Sequence, residues 1–246
     1  MKQSDTIKTL LWLTLFSIAM AYLESAVVVY LRAIMYPEGF NFPLAPMQPG
    51  IALTEVFREA ATIIMLLGAG YFGGRYLATR FAWFIYCFAI WDIFYYVFLK
   101  ILVNWPDSPM TWDILFLIPV PWTGPVISPV IVSLAMILLA MIIVFYDRQA
   151  LTVRINSSEW LLLVTGAVII FLSFVWDYSA FMLRHYPVGE IVSNPDKNAL
   201  FNLSLQYVPV HFPWMLFAAG MAVILAATGL LFRRHRELNQ AVSGNR

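Results

Sequence analysis

Three acids stand inside long apolar runs: Glu24 in AMAYLESAVVVYL, Asp92 in CFAIWDIFYYVFL and Asp177 in FLSFVWDYSAF. A fourth group, TEVFREAAT, brings Glu55, Arg58 and Glu59 together at helical spacing, and His211 precedes the last apolar run. Carboxylates in such surroundings have three chemical uses. They can take up and release protons, hold a metal or organic cation, or act as acid and base on a substrate. Arg32 and Arg58 are the bases nearest to them, and Trp91, Tyr95, Tyr96 and Trp176 offer an aromatic wall beside Asp92 and Asp177.

No motif narrows that choice. HExxH, GxSxG, a P-loop and a paired aspartate-rich box are all absent from the sequence. One carboxylate set with one histidine suits iron, manganese or zinc in principle, but the Glu-x-x-His spacing of di-iron bundles is missing. Two-histidine haem ligation is disfavoured because only His211 could lie inside; His185 and His235 fall at the edges. The single cysteine, Cys87, has no CxxC partner and reads as a small buried residue. Cofactor and metal therefore stay open.

The elements that must carry these residues are membrane spans. The chain is 61% hydrophobic and 12% charged, with a mean hydropathy of +0.77. Soluble domains run near 45–50% apolar and about 25% charged. A net charge of +1 gives nucleic acid no electrostatic footing. About 20 apolar residues cross a bilayer. The expected fold is an all-α, polytopic transmembrane bundle forming one integral domain over residues 1–246, with six spans at about 9–31, 52–73, 80–103, 125–146, 160–183 and 209–232. A cleavable leader ending in AMA at 19–21 is the rival reading of the first span. The apolar run continues well past it, through SAVVVYL.

Loop charges orient the bundle. With the N-terminus inside, ten bases are cytoplasmic (Lys2, Lys8, Arg75, Arg80, Arg148, Arg154, Arg233, Arg234, Arg236 and Arg246), against five on the other side (Arg32, Arg58, Lys100, Arg184 and Lys197). Both termini are expected in the cytoplasm, in a plasma or inner membrane. Trp12, Trp83, Trp105, Trp112, Trp122, Trp160 and Trp214 fall near span ends and read as an interfacial belt. Gly70 with Gly74, and Ala218, Ala222 and Ala226, have the four-residue spacing of close helix approach.

Threading the charges on these spans puts them all in the outer half. At ~1.5 Å per residue, Glu24 lies about 10 Å below the outer end, Glu59 about 12 Å, Asp177 about 9 Å and Asp92 about 16 Å. Glu55 sits one turn above Glu59, and Asp113 with Arg32, Arg184 and His185 at the outer rim. A charge near the bilayer centre costs roughly 2.5–3.5 kcal/mol. Several together would rival the ~5–15 kcal/mol that stabilises a domain. They must face one another, water or the bundle interior.

The prolines Pro119, Pro121, Pro125 and Pro129, with Gly124, rule out a regular helix through the start of the fourth span. A short helix or re-entrant segment at 112–118 and a broken fourth span are expected there. Three functions remain. The first is a proton- or cation-coupled transporter or transport subunit in which Glu24, Glu55, Glu59, Asp92, Asp177 and His211 bind the proton or cation. The second is a membrane-embedded enzyme acting on a lipid- or quinone-like amphiphile. The third is an accessory subunit whose polar cluster docks a membrane-protein partner.

Overall fold

The computed structural model describes residues 3–149, 152–193 and 197–244. Lys2 and Arg246, counted above among the cytoplasmic bases, lie outside the described residues. Eight helices and one hairpin follow in chain order: α1 (Gln3–Met35), α2 (Pro49–Gly73), α3 (Leu77–Val103), β1 (Trp112–Phe116), β2 (Trp122–Pro125), α4 (Ile127–Arg148), α5 (Ser157–His185), α6 (Val188–Ser193), α7 (Lys197–Ser204) and α8 (Trp214–Gly244).

Five helices are long and apolar enough to cross a membrane: α1, α3, α4, α5 and α8. Large apolar side chains cover their outsides, among them Trp12, Leu15, Ile101, Leu134, Leu161 and Leu225. A water-facing surface rarely carries so much contiguous apolar area. The protein is a membrane-embedded helical bundle. The predicted second span, 52–73, is helical within α2 but is not among the five.

α3 is the central mast. Its buried residues run from Ala78 to Leu99 around most of its circumference, because α1, α2 and α4 all lean on it. Local signals set its ends: Thr79 Oγ1 accepts the Tyr76 N–H at 3.2 Å at the start, and Asn104 closes the other end with φ 52°. α5 opens on an Asn156-x-x-Glu159 capping box, with the Asn156 N–H donated to Glu159 at 2.8 Å.

α2 turns one stripe toward the bundle, Glu55, Glu59, Thr62, Leu66 and Gly70, at the helical repeat that keeps residues on one face. Its far end rests on α3 through Gly70, where an added Cβ would sit 2.7 Å from the Phe84 backbone nitrogen. The expectation of close approach at Gly70 therefore holds. For Ala218, Ala222 and Ala226 it fails: all three face outward. α8 instead meets α5 through Gly166 and Gly220, where an added Cβ would come within 2.8 Å and 2.7 Å of Ile224 and Ile170.

Two further expectations need correction. Residues 112–118 form no helix: β1 pairs antiparallel with β2, Asp113 opposite Gly124. A hairpin satisfies its own amides, so prolines at the turn cost it little. The break predicted within the fourth span lies before it, and α4 starts at Ile127 with Pro129 in the first turn, where no amide donor is needed. Trp83 and Trp105 are also not belt residues. Both are buried, Trp105 beneath the Arg32 guanidinium, whose carbon lies 3.9 Å from its ring centroid.

The bundle has two chemically distinct ends. At the end bearing the chain termini, Arg234 grips Glu159 at 2.7 Å, and Tyr76 reaches Asp147 and receives the Val153 N–H. Glu159 and Asp147 are structural clasps. At the opposite end the hairpin, the 36–48 segment and α7 roof the bundle. Glu24, Glu55, Glu59, Asp92, Asp113 and Asp177 lie toward that end.

Candidate functional site: an acidic cavity under the hairpin

Beneath that roof lies a cavity of about 290 Å³. Carboxylates from four separate elements line it: Glu24 of α1, Glu55 and Glu59 of α2, Asp92 of α3 and Asp113 of β1. Arg32 and Arg58 are the two bases in its wall. Five acids against two guanidiniums leave the cavity formally negative.

Each acid has its own setting. Arg58 joins the Glu24 carboxylate through Nη1 and Glu55 through Nε at 2.7 Å. The two arms span α1 and α2, which touch little otherwise. Thr62, one turn beyond Arg58, adds a long hydroxyl contact to Glu24 at 3.4 Å. Among the described residues Glu59 has no salt-bridge partner; both its oxygens lie 3.0 Å from the Leu117 N–H, just past the end of β1. Asp92, near the middle of α3, accepts the Ser133 hydroxyl of α4 at 2.8 Å.

Asp113 is the best buried of the five, 2% exposed, with Arg32 at 3.5 Å from its Oδ1. Burial pushes its carboxyl up to about 6, the Arg32 charge only partly opposing the shift. Its other oxygen, Oδ2, has no partner in hydrogen-bonding geometry; the Tyr96 hydroxyl lies beside the same carboxyl and acts on it without closing a bond to Oδ2. The Trp91 indole N–H likewise has no partner, in a residue 6% exposed that also lines the cavity. Tyr95 and Tyr96 complete an aromatic flank; the Trp91 and Tyr95 rings stack with centroids 6.5 Å apart.

Among the sequence-predicted residues, Glu24, Glu55, Glu59, Asp92, Arg32, Arg58, Trp91, Tyr95 and Tyr96 come together. Asp177, His211 and Trp176 do not line the cavity. The Asp177 carboxylate accepts the Tyr207 hydroxyl at 2.8 Å, the Val210 N–H at 3.1 Å and the His211 N–H at 3.2 Å. It is a latch for the segment leading into α8. Burial, with that neighbouring carboxylate, raises Tyr207 well above the usual phenol range. His211 contributes its backbone there, and its side chain lies on an exposed position. Trp176 is 55% exposed and faces outward. Asp177 and Trp176 are neighbours in sequence, but a single residue step along α5 turns them about 100° apart.

Asp113, placed at the outer rim by threading, proves to be a cavity acid. It lies on the hairpin's inner side, among the residues that line the cavity. Its recurrence in the Trp-Asp pairs at 91–92, 112–113 and 176–177 was the one hint available. Ser133 and Tyr207 had no signal, since nothing in their local sequence says which acid each one meets.

No family model, curated protein or solved structure matches this chain. Its chemistry has to be read from the cavity. Among the described residues no group of three or more His, Cys, Asp or Glu is arranged to hold a metal ion. The acids line one space but are separately engaged, with Arg58, Leu117, Ser133 and Arg32 between them. A surplus of carboxylates lining one space can attract a cation or exchange protons.

Proposed function

We propose that this chain is a transport protein or transport subunit of the plasma or inner membrane, in which a cation, or protons exchanged for one, occupies the acidic cavity. The observation that carries the reading is the convergence of five carboxylates from α1, α2, α3 and β1 on one cavity with two guanidiniums. Such a surplus attracts cations and repels anions. Intramembrane acids that face a shared space mark ion and substrate pathways. The Lys/Arg bias supports a topology with both termini cytoplasmic, so that the cavity opens to the opposite side. α2, charged in its first half and apolar in its second, completes six crossings in this reading.

Asp92 is the one acid of the central helix α3, and it is the residue on which coupling is expected to depend. The test is reconstitution into vesicles loaded with a pH-reporting dye. Sodium, potassium or an organic ammonium ion is then added outside, and movement of protons is followed. Cation-dependent proton flux is expected from the wild type and none from Asp92→Asn, whose amide oxygen still accepts the Ser133 hydroxyl. Equal flux from both proteins, or no flux with any cation, removes the reading.

Glu59 favours a second reading, an enzyme acting on an amphiphile. A cavity carboxylate with no salt-bridge partner among the described residues is available as acid or base. Retention of a stoichiometric lipid by the purified protein, and its chemical change on incubation, would decide for that alternative.

A further inference from the structure

Two buried polar atoms in the cavity wall lack partners: Asp113 Oδ2, an acceptor, and Trp91 Nε1, a donor. Buried polar groups are almost always satisfied, and an orphan in a native protein asks for an occupant. These two are chemically opposite. An occupant that completes both must present a donor, best a cationic one, to the aspartate and an acceptor to the indole. Charge agrees, because Asp92, Glu59 and Asp113 exceed what Arg32 and Arg58 neutralise. Shape agrees too. The flank of Trp91, Tyr95 and Tyr96 presents aromatic rings beside the acids, the setting in which ammonium groups gain further attraction from ring faces. The apolar lining, Val28, Leu31, Ile114 and Leu115 among it, has to be covered by something other than water. A cavity of about 290 Å³ lies at the lower end of the range for small-molecule sites, roughly 300–1,000 Å³.

We propose that the cavity binds a small organic amine, its ammonium group on Asp113 and an oxygen of the same molecule accepting the Trp91 indole N–H, with an apolar body against Tyr95, Tyr96 and the aliphatic wall. This rests on the transport reading for the site but names the class of guest. A metal ion lacks the oxygen and the apolar body, and a hydrocarbon lipid tail satisfies neither orphan. An anion would meet Asp92 and Glu59, neither of which is in a salt bridge, with Asp113 beside them only partly offset by Arg32. Arg32 stays on Asp113 Oδ1, so the guest adds to that pair without replacing it.

The test uses the full-length protein in detergent and calorimetric titration with three amines that carry an oxygen: tyramine, octopamine and 2-phenoxyethylamine. Each is matched by its deaminated analogue: 4-ethylphenol, 1-(4-hydroxyphenyl)ethanol and ethoxybenzene. At least one amine is expected to bind with unit stoichiometry and at least tenfold more tightly than its analogue. Asp113→Asn is expected to erase that preference, and Trp91→Phe, which keeps the ring and loses the N–H, to weaken the amine severalfold. Trp91→Phe removes no charge, so it remains informative if Asp113→Asn is poorly folded. Binding of amines and analogues with equal strength, or of none, overturns the proposal. So does binding that is indifferent to both substitutions. The two readings separate cleanly in the vesicle assay. Sodium-driven proton flux without amine binding removes the amine and leaves transport; amine binding without flux of any kind does the reverse.

Discussion

Arg58 is the residue whose loss should be felt most widely. Its guanidinium is the main polar tie between α1 and α2, holding Glu24 with one nitrogen and Glu55 with another. Arg58→Met keeps the aliphatic bulk and leaves two carboxylates facing each other across the cavity wall. Each pair is worth on the order of 4 kcal/mol at an effective dielectric near 20, offset in part by desolvation. Breaking a fully buried pair costs roughly 3–5 kcal/mol. The side chains are 21%, 11% and 8% exposed for Arg58, Glu24 and Glu55, so the lower figure, about 3 kcal/mol, applies. For a chain of this size that lowers the midpoint of thermal unfolding by roughly 6–12 °C. Adding Glu24→Gln should recover part of the loss, because one orphaned charge is then gone, whereas Glu24→Gln alone should cost less than Arg58→Met. Thermal unfolding in detergent, followed by size-exclusion recovery after heating, reads all three proteins. If Arg58→Met unfolds with the wild type, the bridge contributes nothing, and α1 and α2 are held by apolar contact alone.

Three other expectations are independent of that one. Asp177→Ala removes the acceptor for Tyr207, Val210 and His211, at about 1–3 kcal/mol for groups left unpaired; hydrogen exchange should quicken across 207–213 and stay unchanged in α3, and uniform exchange would dismiss the latch. Gly70→Ala pushes a methyl against the Phe84 backbone and should destabilise by about 1–3 kcal/mol. Ala222→Leu on the outward face of α8 should stay within ~0.5 kcal/mol, and reversed effects would mean that the contact faces are wrong. Binding of tyramine should weaken as pH falls through about 6, where Asp113 takes up its proton, approaching tenfold per unit below it. The sign follows from the pairing: the ammonium is attracted by the carboxylate and not by the acid, and Arg32, Tyr95, Tyr96 and Asp92 are the other polar groups that face Asp113. Affinity that is flat from about pH 5 to 8 would show that Asp113 is not the group the amine meets.

The membrane character, the helices and the clustering of acids toward one end were all present in the chain itself. Those properties are one-dimensional. A run of twenty apolar residues must be helical in lipid, since no other structure satisfies its amides. The depth of Glu24 or Asp92 then follows from counting at fixed rise. The break at the prolines could be foreseen, because Pro119, Pro121 and Pro125 have no amide to give a helix. The hairpin that replaced it could not, since strand pairing between Asp113 and Gly124 depends on how the two segments meet.

What only the tertiary structure decided is which face of each helix turns inward, and with whom. Asp177 and Asp92 look alike in sequence, each after a tryptophan in an apolar run. One ends in the shared cavity with Ser133, and the other clamps a loop through Tyr207. Asp113, placed at the rim by threading, is the most buried acid among the described residues, because the hairpin packs it against the cavity wall. Hydropathy sets how deep a residue lies along the bilayer normal. Rotation about the helix axis is set by contact with neighbours that are distant in sequence, and a single chain read in order holds no measure of that angle.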